Sequence, residues 1–477
     1  MRDYSQRVLD LARGLGAGYA DVRLETKRVQ VVSVKNGAVD ALADEESSGF
    51  GVRVLVDGAW GFASSARVEP AELERVTRLA VEIARASGLA RRQPITLGPP
   101  VRSVGRYATP IARDPFAVSL ADKLDLLFRA DAAMRAVRGV GVAEASLECQ
   151  RIEKTFASTD GAYVEQELIE TGGGIEALAV GEHEVQKRSY PNSFGRHQGT
   201  AGYEFVEAMD LAGNATRIAE EAVQLLGASQ CPSEITTLIL DPTQTALQVH
   251  ESCGHPIELD RVLGMEASYA GTSFLTPEKR GAFRYGSPHV TIVADATVPG
   301  GLGTFGYDDE GVPAQRTVIV DQGLFRNYLT SRETAAVFGE ASNGTMRADG
   351  WNRIPLIRMT NINLEPGPWR LADLIADTDR GIYMQTNKSW SIDDKRLNFQ
   401  FGTEIAWEIR GGKLGALLKN PTYTGITPEF WNGCDAVCGE WAVWGTPNCG
   451  KGQPSQVAHV GHGAAAARFR NVRVGVL

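Results

Sequence analysis

The sequence predicts an α+β protein of two domains. The N-terminal α/β domain, with a mixed sheet and helices, is expected over residues 1–230, and a mainly β C-terminal domain over residues 231–477. The chain of 477 residues is long for a single hydrophobic core. In its first half, segments with the apolar spacing of a helix alternate with segments typical of strand pairs. In its second half, strand-like segments with Gly- and Pro-rich links dominate. The short polar stretch 227–233, which contains a proline, separates the two halves.

The N-terminal domain is predicted from its apolar periods and its turn dipeptides. In chain order we expect a helix over 4–15, a strand pair over 23–40, a hairpin over 51–62, a helix over 69–86, a connecting segment over 88–118 and a helix over 205–226. Asn36-Gly37 and Asp57-Gly58 are typical of tight hairpin turns. The Gly-rich segment 160–180 repeats the pattern of the earlier hairpins. It indicates an internal repeat, with chance similarity between Gly-rich hairpins as the alternative.

The C-terminal domain is predicted to hold one prominent helix among strands. A strand over 236–240 leads into a helix that begins at Asp241-Pro242, because Asp is favoured at the N-cap and Pro at the first helical position. Further strands are expected over 290–294, 317–320, 356–364, 403–410 and 469–476.

The composition is that of an ordinary globular protein, with 43% apolar and 22% charged residues. A net charge of −9 argues against general binding to nucleic acids, which requires clustered basic residues. We find no signal peptide, transmembrane span or lipidation signal, so a cytoplasmic location without membrane association is expected. The six cysteines should then be reduced and free to pack in the core or to bind a metal.

The predicted helix carries the motif His250-Glu-Ser-Cys-Gly-His255, which is one residue longer than the zinc-peptidase motif H-E-x-x-H. Five residues along a regular helix separate two side chains by about 140°, which is unsuitable for shared metal binding. However, Pro256 cannot donate to the carbonyl of Ser252, and Gly254 adds backbone freedom. We therefore expect a π-type widening that brings both imidazoles to one side. The alternative is a capped, partly buried histidine pair at a helix end.

A catalytic zinc site needs a third protein ligand. The candidates are Glu258, Asp260, His289, His459, His462, Cys434, Cys438 and Cys449. Cys449 lies in a loop with nearby glycines, where Lys451 would favour the thiolate. Glu251, which follows the first histidine, is placed to act as general base on a zinc-bound water.

Other reactive residues have simpler interpretations. Cys149, Cys231 and Cys253 are expected to be small buried apolar residues, and the same is favoured for Cys434 and Cys438. The acidic run Asp308-Asp309-Glu310 is predicted to be a solvated turn without a metal.

Several motifs together resemble the TldD/PmbA family of modulators of gyrase, in its TldD-type zinc metallopeptidase branch. They are His250–His255 with Glu258 and Asp260, Gly271–Phe274, Asp308–Gly311, Arg358–Asn361 and Asn448–Gln453. These segments lie in order across the second domain, whereas the first half matches only in its pattern of strands, helices and hairpins.

The resemblance implies a zinc peptidase in which His250, His255 and Cys449 bind Zn²⁺ and Glu251 is the catalytic base. It also implies a dimer, with a PmbA/TldE-like paralogue or with a second copy, that encloses a chamber for short or unfolded polypeptides. Two alternatives remain: a non-catalytic PmbA/TldE-like partner subunit, and a zinc amidohydrolase of small substrates. The four intact site residues favour the peptidase over the partner subunit.

Overall fold

The computed structural model describes residues 1–475, and Val476, the last residue of the strand expected over 469–476, lies outside them. Within this range the strands form two eight-stranded sheets and three smaller ones, and helices pack against the two large sheets. The predicted α+β fold class is therefore confirmed.

The first 230 residues contain helices and strands in alternation. The strands are β1 Tyr19–Lys35, β2 Ala38–Val56, β3 Ala59–Ser65, β4 Val104–Ala108, β5 Val140–Ser158, β6 Tyr163–Val180, β7 Val185–Tyr190, β8 His197–Gly199 and β9 Ser229–Gln230. The helices are α1 Arg2–Gly14, α2 Pro70–Gly88, α3 Leu120–Arg135, α4 Glu204–Met209 and α5 Leu211–Gly227.

Both predicted hairpin turns are confirmed, since β1 and β2 join at Asn36-Gly37 and β2 and β3 join at Asp57-Gly58. Two expectations were wrong. The segment expected to be purely connecting contains β4, which pairs in parallel with β6. The helix expected over 205–226 is broken at Asp210, which adopts a φ of 47° and caps α5 by accepting a hydrogen bond from the next turn.

The first large sheet has the strand order β3-β2-β1-β5-β6-β4, and β7 and β8 pair with β6. Alternate side chains of each strand face the helices. Helices α1 and α2 share an apolar core with β1, β2 and β3 that includes Val22 and Val76. Helices α3 and α5 share a second core with β1, β5 and β6 that includes Leu147 and Ile218. Each half of the sheet thus has its own helical layer.

The remaining residues are richer in strands. These are β10 Glu234–Leu240, β11 Ile292–Asp295, β12 Arg316–Asp321, β13 Leu324–Phe325, β14 Met346–Arg347, β15 Leu356–Ile357, β16 Ile362–Leu364, β17 Arg380–Ile392, β18 Asn398–Arg410, β19 Lys413–Lys419, β20 Thr422–Ile426, β21 Cys434–Val437, β22 Ala442–Lys451, β23 Gln456–Ala464 and β24 Ala467–Val474. The helices are α6 Pro242–Val249, α7 Leu259–Val262, α8 Ala267–Ala270, α9 Arg332–Ala336, α10 Leu371–Ala376 and α11 Thr427–Asn432.

The second large sheet has the strand order β17-β10-β24-β20-β18-β19-β9, with β21 beside β24. The expected strand over 356–364 is two short strands instead. The residues between them turn their polar side chains inward, where Arg358 donates to main-chain carbonyls of β22 and β23 and Asn361 donates to the Asp295 carbonyl. None of the helices in the described part of the chain combines the length and the apolar character needed to cross a bilayer.

The prediction that Asp308, Asp309 and Glu310 form a solvated turn was wrong, because all three side chains are buried. Asp308 accepts hydrogen bonds from main-chain N–H groups. Asp309 Oδ1 lies 2.9 Å from Lys154 Nζ on β5, and Glu310 Oε1 lies 3.3 Å from Arg53 Nη2 on β2.

These ion pairs connect the first sheet to the strand-rich second half of the chain. Arg23 of β1 adds a further positive charge 3.6 Å from Asp309 Oδ2. Burial raises the pKa of the Asp309 carboxyl, but Lys154 and Arg23 outweigh that effect and hold the pKa below its usual value. Asp309 is therefore ionised in a buried position that depends on cations contributed by the first half.

We expect Asp309→Asn to lower the free energy of unfolding by about 3 kcal/mol, because Lys154 and Arg23 lose a buried counter-charge. Urea denaturation followed by circular dichroism measures the change. The matched control is Asp44→Asn, which removes a carboxylate paired with Arg28 on the exposed part of the first sheet, where a change below about 1 kcal/mol is expected. Equal effects of the two substitutions would contradict the importance of burial.

Candidate metal centre

Helix α6 brings the histidine motif to the centre of the second half. It begins where the sequence predicts, since the Asp241 side chain accepts a hydrogen bond from Gln244 N at 3.0 Å and Pro242 occupies the first helical position. It continues directly into a π-turn over His250–Gly254, in which the N–H of His255 donates to the carbonyl of His250. The predicted π-type widening is confirmed.

Two residues explain why the widening occurs here. Pro256 leaves the Ser252 carbonyl without its helical donor, and the buried Tyr285 hydroxyl donates to that carbonyl instead, at 2.9 Å. Gly254 packs against Met359, so closely that a Cβ atom at this position would lie 2.2 Å from the Met359 sulfur. The local sequence and its packing therefore fix the turn together.

The π-turn places the two imidazole rings side by side, with centroids 4.9 Å apart. His250 Nδ1 is hydrogen-bonded to His462 Nε2 at 2.7 Å, and His255 Nδ1 to Glu258 Oε2 at 3.0 Å. The Nδ1 atom of each ring is thus engaged, which leaves Nε2 as the metal-binding nitrogen, in the arrangement usual for metal-binding histidines with fixed rings. His462 and Glu258, which were candidates for the third ligand, instead orient the rings.

Cys449 of β22 completes a compact group of donor atoms. Its Sγ atom lies 3.8 Å from His255 Nε2, and one ligand atom from each of His250, His255 and Cys449 lies within 4.8 Å of the others. All three side chains are buried. The structure therefore brings together the three residues to which the family resemblance points.

The other candidate ligands lie in different environments. His289 is exposed, His459 contacts Glu170, and Asp260 contacts Lys451. Cys434 and Cys438 are buried in the apolar core of the second half together with Cys231 and Cys253, and Cys149 is buried in the first half. Burial raises the pKa of each of these five thiols, to about 11 or 12, so they are neutral packing residues. The packing role predicted for them is confirmed.

The electrostatic surroundings of Cys449 differ from those of the other thiols. Burial alone would raise the pKa of the Cys449 thiol, but the adjacent His255 ring and the Arg358 guanidinium bring it below its ordinary value. Burial also lowers the pKa of His250 and of His255, so both rings are neutral. A thiol with a lowered pKa and two neutral imidazoles suit a metal site. The expectation that Lys451 provides the favourable charge was wrong, because Arg358 provides it.

Lys451 instead holds together a buried group of carboxylates. Its Nζ atom lies 2.7 Å from Asp260, 3.3 Å from Glu258 and 3.8 Å from Glu266. Burial is the main reason that the pKa values of Asp260 and Glu266 are raised. Glu258 also fixes the His255 ring. Lys451 therefore connects β22, the strand that carries Cys449, to the residue that orients His255.

The candidate ligands face a cleft of about 270 Å³. Its wall includes Phe194 from the first half of the chain and Trp390 and Arg396 from the second. The Phe194 and Trp390 rings meet edge to face, with centroids 6.2 Å apart, and both are more than 40% exposed. A second cleft, of about 370 Å³ on the first sheet, contains no histidine or cysteine.

Glu251 lies between the candidate metal site and a cation that the sequence does not reveal. Its Oε1 atom is 4.0 Å from His250 Nε2, and its Oε2 atom accepts a hydrogen bond from Arg396 Nη1 at 2.8 Å. Sequence reasoning missed Arg396, since no motif surrounds it and it is 145 residues from Glu251. Arg358, by contrast, lies in a segment that the family resemblance includes.

Family models match most of the chain. Residues 20–84 match domain 1 of the PmbA/TldA metallopeptidases, residues 113–230 match their central domain, and residues 233–475 match their C-terminal domain.

The chain is also similar to named proteins along most of its length. A metalloprotease of Methanothermobacter thermautotrophicus is 31% identical over 459 residues, which cover 96% of this chain and 95% of the relative. A zinc metalloprotease TldD homolog of Saccharolobus solfataricus is 24% identical over 243 residues, which cover 50% and 51% of the two chains.

Solved structures share the fold. A Thermotoga maritima protein assigned as a modulator of DNA gyrase superposes with a TM-score of 0.79 at 18% identity, over 99% of both chains. TldE from Thermococcus kodakarensis superposes with a TM-score of 0.75 at 18% identity, over 98% of this chain and 99% of that one.

We expect Lys451→Met to destabilise the protein in a pH-dependent way. Without the ammonium group, Asp260 and Glu266 have folded-state pKa values still further above their unfolded values of about 4. The loss of unfolding free energy should therefore grow as the pH rises from about 4 through those folded-state pKa values, to about 3 kcal/mol at pH 8.

Urea denaturation at pH 5 and at pH 8 measures this difference. The control is Lys413→Met, at an exposed position, with an expected change within about 0.5 kcal/mol at both pH values. If Lys451→Met lowered the free energy of unfolding by the same amount at both pH values, the role assigned to the carboxylates would be contradicted.

Proposed function

The chain belongs to the PmbA/TldD metallopeptidase family, and on that premise we propose that it is a zinc-dependent peptidase of short or unfolded polypeptides. The observation that carries the proposal is the approach of two imidazole nitrogens and one thiol sulfur to within 4.8 Å of one another beside a cleft. Three protein ligands leave a fourth position open, which distinguishes catalytic zinc sites from closed structural ones.

The chemistry and the spacing of the donor atoms fit zinc. Imidazole nitrogen and thiolate sulfur are ligands that zinc prefers. Zn–N and Zn–S distances of about 2.0 and 2.3 Å place the ligand atoms of a tetrahedral site roughly 3.3 to 3.6 Å apart. The separation of 3.8 Å between His255 Nε2 and Cys449 Sγ is close to this range. We therefore propose His250, His255 and Cys449 as the ligands of one Zn²⁺.

A zinc ion in this position supplies Lewis-acid polarisation of a carbonyl group and lowers the pKa of water to about 7. The protein's own part in the proposed reaction belongs mainly to Glu251. Its carboxylate takes a proton from the attacking water and later delivers it to the leaving amine. His462 and Glu258 keep the imidazole rings in the required orientation during both steps, through their hydrogen bonds to the Nδ1 atoms.

The substrate proposal follows from the lining of the cleft. The exposed Phe194 and Trp390 rings offer an apolar surface to a side chain of an extended peptide. We further propose that the chain pairs with a TldE-like paralogue or with a second copy to enclose the site. The TldE from Thermococcus kodakarensis, which shares the fold, is an example of such a paralogue and supports the pairing only at the level of fold.

An observation separates one of two alternative functions from this one, and an experiment separates the other. A non-catalytic partner subunit would not need His250, Glu251, His255 and Cys449 together at one cleft. A zinc amidohydrolase of small substrates would use the same residues, so only a comparison of peptide and small amide substrates distinguishes it from a peptidase.

We expect Glu251→Gln to reduce kcat for an unstructured peptide by roughly 10²- to 10⁴-fold, because the base is lost. Zinc should stay bound at one ion per chain, since Glu251 is not among the proposed ligands. Peptide cleavage followed by mass spectrometry, with zinc measured by atomic absorption, tests both statements. Glu340→Gln, at an exposed position, is the control. A fully active Glu251→Gln variant would remove the proposed mechanism.

We expect Cys449→Ala to lose zinc and activity, because two imidazoles alone hold the ion poorly. Cys434→Ala and Cys438→Ala, which remove thiols of the apolar core, should retain both. Zinc affinity of the unmodified protein should weaken as the pH falls, because ligand protonation competes with the metal. If Cys449→Ala kept stoichiometric zinc and Glu258→Ala lost it, the third ligand would be Glu258.

A further inference from the structure

The turn between β17 and β18 is held rigidly beside the cleft. The Asp393 carboxylate accepts main-chain hydrogen bonds from Leu397 at 2.7 Å and from Asn398 at 3.1 Å. The Thr427 hydroxyl donates to the main-chain carbonyl of Arg396 at 2.9 Å. The main chain of Arg396 is therefore fixed before any substrate arrives.

Arg396 is an unfavourable residue for this turn. Its φ of 62° lies in the left-handed region, where glycine is favoured and a long L side chain adds strain. The hydrogen bonds that hold the turn involve the main chain of Arg396 and not its guanidinium. The fold would thus accept glycine here, so the reason for arginine must lie where its side chain ends.

The Arg396 guanidinium contacts Glu251 and keeps one hydrogen-bond donor without a partner in the described part of the chain. Nη1 donates to Glu251 Oε2 at 2.8 Å, while the side chain is only 17% exposed. The Nε–H group is buried and has no hydrogen-bond partner among residues 1–475. An unpaired buried donor is costly, and its persistence at a cleft indicates that a bound molecule completes it.

We infer that Arg396 is a catalytic residue that donates a hydrogen bond to the carbonyl oxygen of the scissile peptide bond as this oxygen becomes negative. The inference rests on the proposed peptidase function. In the attack step, the water oxygen forms a bond to the carbonyl carbon, one water proton moves to Glu251, and the C=O π pair moves onto the carbonyl oxygen. One negative charge therefore leaves Glu251 and one appears on the substrate.

A cation that already touches Glu251 is suited to this transfer of charge. Before the step the guanidinium is paired with the Glu251 carboxylate, and after it the carboxyl group is neutral while the nearby oxyanion needs a donor. The interaction with the substrate oxygen is therefore stronger in the transition state than in the ground state, which is the condition for faster chemistry. Because its main chain is fixed, Arg396 needs little reorganisation to make it.

The experiment removes the side chain without straining the backbone. Arg396→Gly suits the φ of 62°, so the turn should form without backbone strain, and the lost ion pair to Glu251 should lower the melting temperature. Arg396→Lys keeps a charge but not the forked donor geometry. Lys395→Ala is the matched control, because it removes the neighbouring exposed cation of the same turn.

We expect Arg396→Gly to keep one zinc ion per chain and to lose roughly 10²- to 10³-fold in kcat. KM should change by less than about threefold, and added guanidinium ion should restore part of the rate. Calorimetry supplies a readout independent of turnover. Affinity for a phosphonamidate peptide, which mimics the tetrahedral oxyanion, should fall by about the same factor as kcat. Affinity for the matching peptide with a reduced scissile bond should not fall. For Arg396→Lys, kcat and phosphonamidate affinity should lie between those of the unmodified protein and those of Arg396→Gly.

Three results would overturn the inference. Unchanged kcat would show that the guanidinium is not needed. A loss of affinity for the reduced peptide equal to the loss in kcat/KM would assign Arg396 to ground-state binding, for example of a terminal carboxylate. A lower kcat with unchanged phosphonamidate affinity would make it a positioning residue for Glu251. Failure of the proposed function itself is distinguishable, since the unmodified zinc-loaded protein would then cleave no peptide.

Discussion

The π-turn over His250–Gly254 depends on a hydrogen bond from outside the helix, which the Tyr285 hydroxyl donates to the Ser252 carbonyl. Without it, the carbonyl that Pro256 leaves unpaired would be buried with no donor, at a cost of about 1–3 kcal/mol. The extra residue in the turn brings the second imidazole beside the first. The contacts of Glu258 and Lys451 with the site follow from that position, since Glu258 binds the second ring and Lys451 binds Glu258.

Features that depend on local sequence could be predicted, and features that depend on distant partners could not. The start of α6, the widened turn and both hairpins follow from Asp-Pro, Gly-His-Pro, Asn-Gly and Asp-Gly combinations, whose effects extend over a few residues. The buried carboxylates of Asp309 and Glu310 depend on cations more than a hundred residues earlier in the chain. A sequence shows that such charges exist but not which of them face each other.

The same limitation explains the error about Lys451 and the omission of Arg396. Lys451 is two residues from Cys449, but in a β-ribbon its side chain is directed to a group of carboxylates assembled from a different segment. Arg396 contacts Glu251 from a turn 145 residues away, in a left-handed backbone conformation that the sequence gives no reason to expect at an arginine. Candidate metal ligands can be recognised in a sequence by their residue type. The charged residues that change the pKa values of those ligands can be recognised only from their positions in the folded structure.

The separation of 194 residues between His255 and Cys449 has a consequence for synthesis of the protein. At about 5–20 residues per second, roughly 10–40 s pass between translation of the histidine motif and translation of the thiol. During that time the nascent chain has two imidazoles but lacks the sulfur donor and the β22–β23 ribbon. The order of residues along the chain thus delays assembly of the proposed zinc site until nearly all of the residues around it have been made.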